Sequence, residues 1–262
     1  MTERLLEVAL TREEIDEILL RCGSRALLVG GQALATWAVY FGVEPMGVLS
    51  AKVTSDVDFI GTRQVAEELR KTLGWKIWLP TPDDATAQTA KITSGVAGGG
   101  VKQIDFLSGI VGLDTAKVEA RAVEISLVSG ALVRVLHPLD VLESRLRNLD
   151  ILPSKQNATG VAQAELAIAV AGRFVDSLVE SGAPLRTVLD AAKRVGQIAL
   201  DPRLCKVAFD FGLNPLDAVS PTRIHAPEFR LKYWPRLIAR FAERRKKNEE
   251  RAKRMSGRRK IK

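Results

Sequence analysis

The sequence predicts an α+β fold: a mixed sheet flanked by helices, followed by a C-terminal helical domain. Three observations carry that expectation. Short apolar, β-branched runs alternate with amphipathic stretches between Ala26 and Leu136, the pattern of strands interleaved with helices. From Ala158 onward strand signals vanish and apolar residues recur at helical spacing. Between Arg240 and Lys262, twelve Lys and Arg stand against three Glu, a net of +9 in a chain whose total is +8. The division that follows is a core over residues 1–150, a helical domain over 151–239 and a basic tail over 240–262. With 46% hydrophobic residues, the chain has the apolar material for a substantial core.

Taken in order, Thr11 is suited to capping a helix whose first turn holds Glu13 and Glu14, and Ile15, Ile18 and Leu19 follow at helical spacing. Residues 1–24 mix acids, bases and leucines without a continuous apolar segment, which argues against a signal peptide, and no run reaches the length of a membrane span. Cys22 and Cys205 are the only cysteines, each in an apolar helical context; they offer neither a disulfide framework nor a zinc spacing, and the expected location is the cytoplasm.

Ala26–Val29 reads as a buried strand, Gly30-Gly31 as a tight turn and Gln32–Tyr40 as a helix. A glycine turn between strand and helix lets the backbone approach an anion while the unpaired helix amides face it. Such a turn also occurs for purely steric reasons. Phe41–Ala51 is then an extra loop or an extended lead-in to the next strand.

That strand is Val53–Ile60, ended by Gly61. Residues two apart on a strand share a face, so Asp56 and Asp58 point the same way while Val57 and Phe59 bury the other side. Two like charges this close raise each other's pKa and call for a cation between them, with Mg²⁺ the natural hard-oxygen choice. An edge strand carrying two solvated acids is the plainer alternative.

Further on, Gln64–Leu73 is an amphipathic helix and Gly74–Trp78 begins a strand whose Trp75 and Trp78 read as packing residues rather than base-stacking ones. Pro80–Ala87 is a loop. Lys91–Ser94 and Val101–Leu107 are strands around Gly98-Gly99-Gly100, with Asp105 inside the second. Val118–Leu127 and Ala131–Leu136 read as two more strands. His137 is biased to extended backbone by Pro138 and caps the helix Pro138–Leu149. Asn148–Gln156 reads as a linker, and helices follow at Ala162–Val179, Leu185–Ala199, Pro202–Phe211 and from Leu231 into the tail.

Leu28-Val29-Gly30-Gly31-Gln32-Ala33-Leu34, followed by Lys52-x-Thr54-x-Asp56-Val57-Asp58-Phe59, resembles the polymerase-β-type nucleotidyltransferase superfamily. More narrowly, it is similar to the branch of AbiEii-like toxins from bacterial toxin–antitoxin and abortive-infection systems. The resemblance spans roughly residues 20–150 and implies a nucleotidyltransferase-type sheet for that part. It also implies a third carboxylate on a later strand, which Asp105 supplies. In that reading Asp56, Asp58 and Asp105 are catalytic and hold Mg²⁺, while Gly30, Gly31, Lys52, Thr54 and Arg145 bind the nucleotide. Lys155 is a second cation of the same region. The chemistry implied is transfer of a nucleoside monophosphate from a nucleoside triphosphate to a macromolecular hydroxyl such as that of tRNA, in a toxin with a cognate antitoxin.

The basic tail suits RNA phosphates, through counterion release, as well as it suits a solubilising terminus. Two other readings stay open: a small-molecule nucleotidyltransferase of the aminoglycoside type, and a non-catalytic nucleotide- or RNA-binding regulator or antitoxin-like partner.

Overall fold

In the computed structural model, residues 6–49, 53–54, 56–96, 99–127 and 130–259 are described. Eight strands form one mixed sheet: β1 (Leu6–Glu7), β2 (Leu27–Val29), β3 (Val57–Ile60), β4 (Lys76–Trp78), β5 (Gln88–Val96), β6 (Gly100–Leu107), β7 (Val123–Ser126) and β8 (Leu132–Val135). Their order is β4-β5-β6-β3-β2-β8-β7, and β1 pairs with the start of β6. The pairs β3–β6, β2–β8 and β1–β6 are parallel and the rest antiparallel. The central strands are apolar because they are covered: Leu28, Val57, Phe59, Ile104 and Phe106 are fully buried.

Five helices interleave with the strands: α1 (Arg12–Cys22), α2 (Gly30–Phe41), α3 (Arg63–Leu73), α4 (Thr115–Arg121) and α5 (Pro138–Ile151). Four follow: α6 (Ala158–Glu180), α7 (Leu185–Leu200), α8 (Pro202–Asp210) and α9 (Trp234–Arg259). The starts of most are set by side-chain caps. Thr11 and Glu14 form a reciprocal capping box on α1, and Thr62, Asp114, Asn157 and Asp201 cap α3, α4, α6 and α8. Trp37 of α2 donates its indole N–H to the Leu136 carbonyl at 2.7 Å, which pins α2 to the end of β8.

Two sequence expectations are corrected. The strand expected from Val118 begins only at Val123, because Asp114 accepts from the Lys117 amide and nucleates α4 ahead of it. The expected linker Asn148–Gln156 is mostly ordered: α5 runs to Ile151 and a 3₁₀ turn occupies Pro153–Lys155. The α+β reading with a C-terminal helical region holds. The apolar interior nevertheless does not break at residue 150; one continuous buried cluster runs from Leu10 to Phe241, with α6 packed on α2 and α5.

A buried ion cluster fastens the two halves. Asp140, fully buried, accepts from Arg121 Nε and Nη2 at 2.9 Å each and from Arg194 of α7. Arg147 bridges Glu143 at 3.3 Å and Asp201 at 3.0 Å. Removing one partner of such a set leaves charge buried without compensation. Asp140→Ala is therefore expected to lower stability by about 3–5 kcal/mol, read as a drop in the urea midpoint.

His137 accepts the Leu139 amide on Nδ1 at 3.1 Å, so it caps α5 as expected, in its neutral form. Burial pushes its pKa down to about 4, with Asp140 opposing and Arg194 and Arg121 reinforcing. The folded value lies below the unfolded value of about 6.5, so this stabilisation is full above about pH 6.5 and is lost as pH falls toward 4. His137→Asn, which keeps an acceptor at the cap, should remove a pH-dependent contribution of up to about 3 kcal/mol over that window. Thermal melts between pH 4 and 7 measure it, the pH range set by the His137 titration.

Candidate functional site

The parallel register of β3 on β6 places Asp58 directly beside Asp105. Asp56 joins them from just outside the sheet, and one carboxylate oxygen from each of the three lies within 4.8 Å of the others. The sequence put Asp56 and Asp58 on one strand beginning at Val53. The strand begins instead at Val57, and Asp56 sits in the bend before it, where Thr54 Oγ1 donates to Asp56 Oδ1 at 2.5 Å. That hydroxyl, rather than strand alternation, positions the first carboxylate.

Gly30 and Gly31 are the first residues of α2 rather than a turn ahead of it, and they face this cluster. Val29 pairs with Asp58 across the antiparallel β2–β3 ladder, which brings the helix start onto the aspartate. A Cβ on Gly30 would lie 1.9 Å from Asp58 Oδ2, and one on Gly31 would lie 2.5 Å from Thr54 Cβ. Gly30 also has φ +66°, a conformation glycine adopts without strain. Among the described residues no side chain caps α2, which leaves its first amides free to face an anion.

Burial raises the Asp58 pKa to about 7, and the charges of Asp56 and Asp105 push the same way against Arg145 and Lys155. Asp105, 7% exposed, is likewise raised by burial, while its Gln103 hydrogen bond and the Lys91 charge pull it back. Its oxygens are held by Gln88 Nε2 at 2.8 Å and Gln103 Nε2 at 2.6 Å, and Lys91 Nζ stands 3.9 Å away. Asp56 and Glu7 are the further charges that raise it.

Arg145, 6% exposed, is within electrostatic reach of Asp58 and Asp56. It donates to Gln163 Oε1 at 3.3 Å and to Ser144 Oγ at 3.4 Å, and its Nε has no hydrogen-bond partner among the described residues. Gln163, on α6, in turn donates to the Val53 carbonyl at 2.9 Å. A helix of the C-terminal half therefore holds the lead-in to the aspartates. Lys155 is exposed on its 3₁₀ turn, packed so tightly on α6 that a Cβ on Gly160 would meet the Lys155 carbonyl oxygen at 1.9 Å. Lys52 lies outside the described residues.

Of the sequence-derived set, Gly30, Gly31, Thr54, Asp56, Asp58, Asp105 and Arg145 are thus gathered at one place. Sequence reasoning missed Gln88, Lys91, Gln103 and Gln163. Gln103 was legible as the residue two before Asp105 on one strand face. Lys91, opposite Asp105 across the β5–β6 hairpin, needed the register, and Gln163 lies 110 residues from its partner.

Three carboxylate oxygens at this spacing form a hard donor set of the kind that suits Mg²⁺ or Mn²⁺. The raised Asp58 and Asp105 are groups whose charged forms a dication would stabilise.

No family model matches the chain, and no curated protein matches it. Among solved structures, the crystal structure of JHP933 from Helicobacter pylori is similar at a TM-score of 0.36 and 12% identity, over 94% of this chain and 95% of that one. So distant a likeness carries no functional argument.

Two outcomes are expected. Gly30→Ala should destabilise the fold by about 1–3 kcal/mol, since the added methyl must displace Asp58; urea melts measure the loss. In metal-free protein the Asp58 contribution has the opposite sign to that of His137. Its folded pKa is raised, so that contribution is present at low pH and lost as pH rises through about 7. Asp58→Asn is expected to remove that dependence, read in urea melts across the pH range through about 7.

Proposed function

We propose that this chain is a Mg²⁺-dependent nucleotidyltransferase that moves a nucleoside monophosphate from a nucleoside triphosphate to a macromolecular hydroxyl, with tRNA as the acceptor. One observation carries the reading: three carboxylates converge within 4.8 Å, and the uncapped start of α2 packs its two glycines against Asp58 and Thr54. A carboxylate cluster beside an open helix N-terminus is what a triphosphate needs, oxygens for its metal and amides for its phosphates.

In this mechanism Asp56, Asp58 and Asp105 provide the oxygens for Mg²⁺, which supplies positive charge against the triphosphate. Gly30, Gly31 and Thr54 seat the β- and γ-phosphates. The acceptor oxygen forms a bond to the α-phosphorus, the bond from that phosphorus to the bridging oxygen of the β-phosphate breaks, and pyrophosphate departs. Asp105, held by Gln88 and Gln103, receives the hydroxyl proton. Arg145 acts on the carboxylates from its buried position, while Lys52 and Lys155 offset the charge of the leaving pyrophosphate.

The RNA is gripped by the basic residues 240–262, of which Lys246, Lys247, Arg251, Lys253 and Arg254 are exposed on α9. By resemblance, the physiological role is that of a toxin in a toxin–antitoxin or phage-defence system, acting in the cytoplasm and restrained by a cognate antitoxin. Among the described residues no helix is long and apolar enough to cross a membrane.

A second reading, a nucleotide- or RNA-binding regulator without turnover, draws on the fact that both Asp105 oxygens already accept hydrogen bonds. The two separate in one experiment. Each of the common nucleoside triphosphates, labelled at the α-phosphate, is incubated with Mg²⁺ and with total tRNA, protein or an aminoglycoside. Label on tRNA that vanishes in Asp56→Ala/Asp58→Ala is the expected result. Label on the aminoglycoside moves the acceptor to small molecules, and metal-dependent nucleotide binding without label supports the regulator.

A further inference from the structure

A groove of about 850 Å³ runs between α7 and α9, well apart in sequence from the carboxylate cluster. Its floor is apolar, built from Leu189 and Leu200 on α7, Leu237 on α9 and Tyr233 just before α9. The two helices pack tightly where Gly196 meets Leu237: a Cβ on Gly196 would lie 2.2 Å from Leu237 Cδ1. Arg244 of α9 donates to the Leu200 carbonyl at one end of the groove; Leu237 is buried, Leu189 and Leu200 are half-buried, and Tyr233 is 39% exposed.

The rim is basic. Lys193 borders it on one side, and Arg236, Arg240 and Arg244 succeed one another at one per turn on the other. The two acids of the lining are already engaged: Glu228 pairs with Lys232 at 3.0 Å, and Asp201 pairs with Arg147 at 3.0 Å and caps α8. Arg236 and Arg240 are exposed and have no ion pair among the described residues.

We infer that this groove is a docking site for an acidic amphipathic helix of a partner protein. An apolar floor is buried favourably only by an apolar stripe, whereas a nucleic-acid backbone would meet the rim cations and leave the floor uncovered. The α7 wall from Leu189 to Leu200 is roughly 16 Å long at 1.5 Å per residue, which is three turns of a seated helix. Glutamates or aspartates flanking that helix's apolar stripe would pair with Arg236 and Arg240; Lys193 on the other side already contacts Asp190 at 3.8 Å. The inference does not rest on nucleotidyl transfer, although Arg240 and Arg244 of the rim also belong to the tail assigned above to RNA.

The test uses the full chain and a fluorescein-labelled synthetic peptide of about four helical turns, with leucines on one face and glutamates beside them. The same composition with the leucines scattered, and a single-stranded RNA, serve as comparison probes. Anisotropy should show the patterned peptide binding at least about tenfold more tightly than the scattered one. Arg236→Glu/Arg240→Glu, at exposed positions, should lose that binding by about tenfold or more, and Leu200→Glu should do the same. Equal binding of the two peptides, patterned-peptide binding unchanged in both variants, or no binding of the patterned peptide would overturn the proposal. RNA binding that depends on Leu200 and Arg236 while the peptide stays unbound would overturn it as well, and assign the groove to nucleic acid.

Discussion

The parallel pairing of β3 with β6 is the constraint on which the site depends. It sets Asp58 beside Asp105, and on the opposite side of the same two strands it sets Phe59 beside Phe106, with ring centroids 5.4 Å apart. The two pairs hold each other in register. A slip of one residue would turn the phenylalanines toward the charged face and the aspartates into the apolar interior, a far greater cost than the repulsion between neighbouring carboxylates. The buried aromatic pair thus forces together charges that would otherwise separate.

The helical half frames that arrangement as well as following it. Gln163 fixes the chain ahead of Asp56 by its carbonyl, and the same side chain receives Arg145, whose charge opposes the mutual repulsion of the acids. The Asp140 cluster ties α4, α5 and α7 into one unit. The cation that steadies the aspartates is therefore held by residues drawn from both sides of the compositional boundary.

Much of this was legible in the residues. The strand–glycine–helix unit at Ala26–Tyr40, the paired acids at Asp56 and Asp58, the lone acid at Asp105 and the loss of strand signals after Ala158 each express a local preference that the fold honours. Local preference failed where a nearer interaction outbid it. The β-branched run after Val118 lost its first turn to the Asp114 cap, and Asp56 is placed by the Thr54 hydroxyl rather than by the pleat. The approach of Gly30 to Asp58 depends on a ladder between segments nearly thirty residues apart, and no periodicity within either segment encodes that. The same holds for Gln163, an ordinary polar residue in an alanine-rich helix until its distant partner is known.

That distance has a consequence for the order in which the molecule is made. Val53 leaves the ribosome 110 residues ahead of Gln163, roughly 5 to 20 s at ordinary synthesis rates. Once β8 has been made at Val135, the sheet segments and all three aspartates exist, but the brace on their lead-in waits for the further stretch of chain up to Gln163. The nascent chain carries the acids of its site without their frame, and the site is completed only once most of the message has been read.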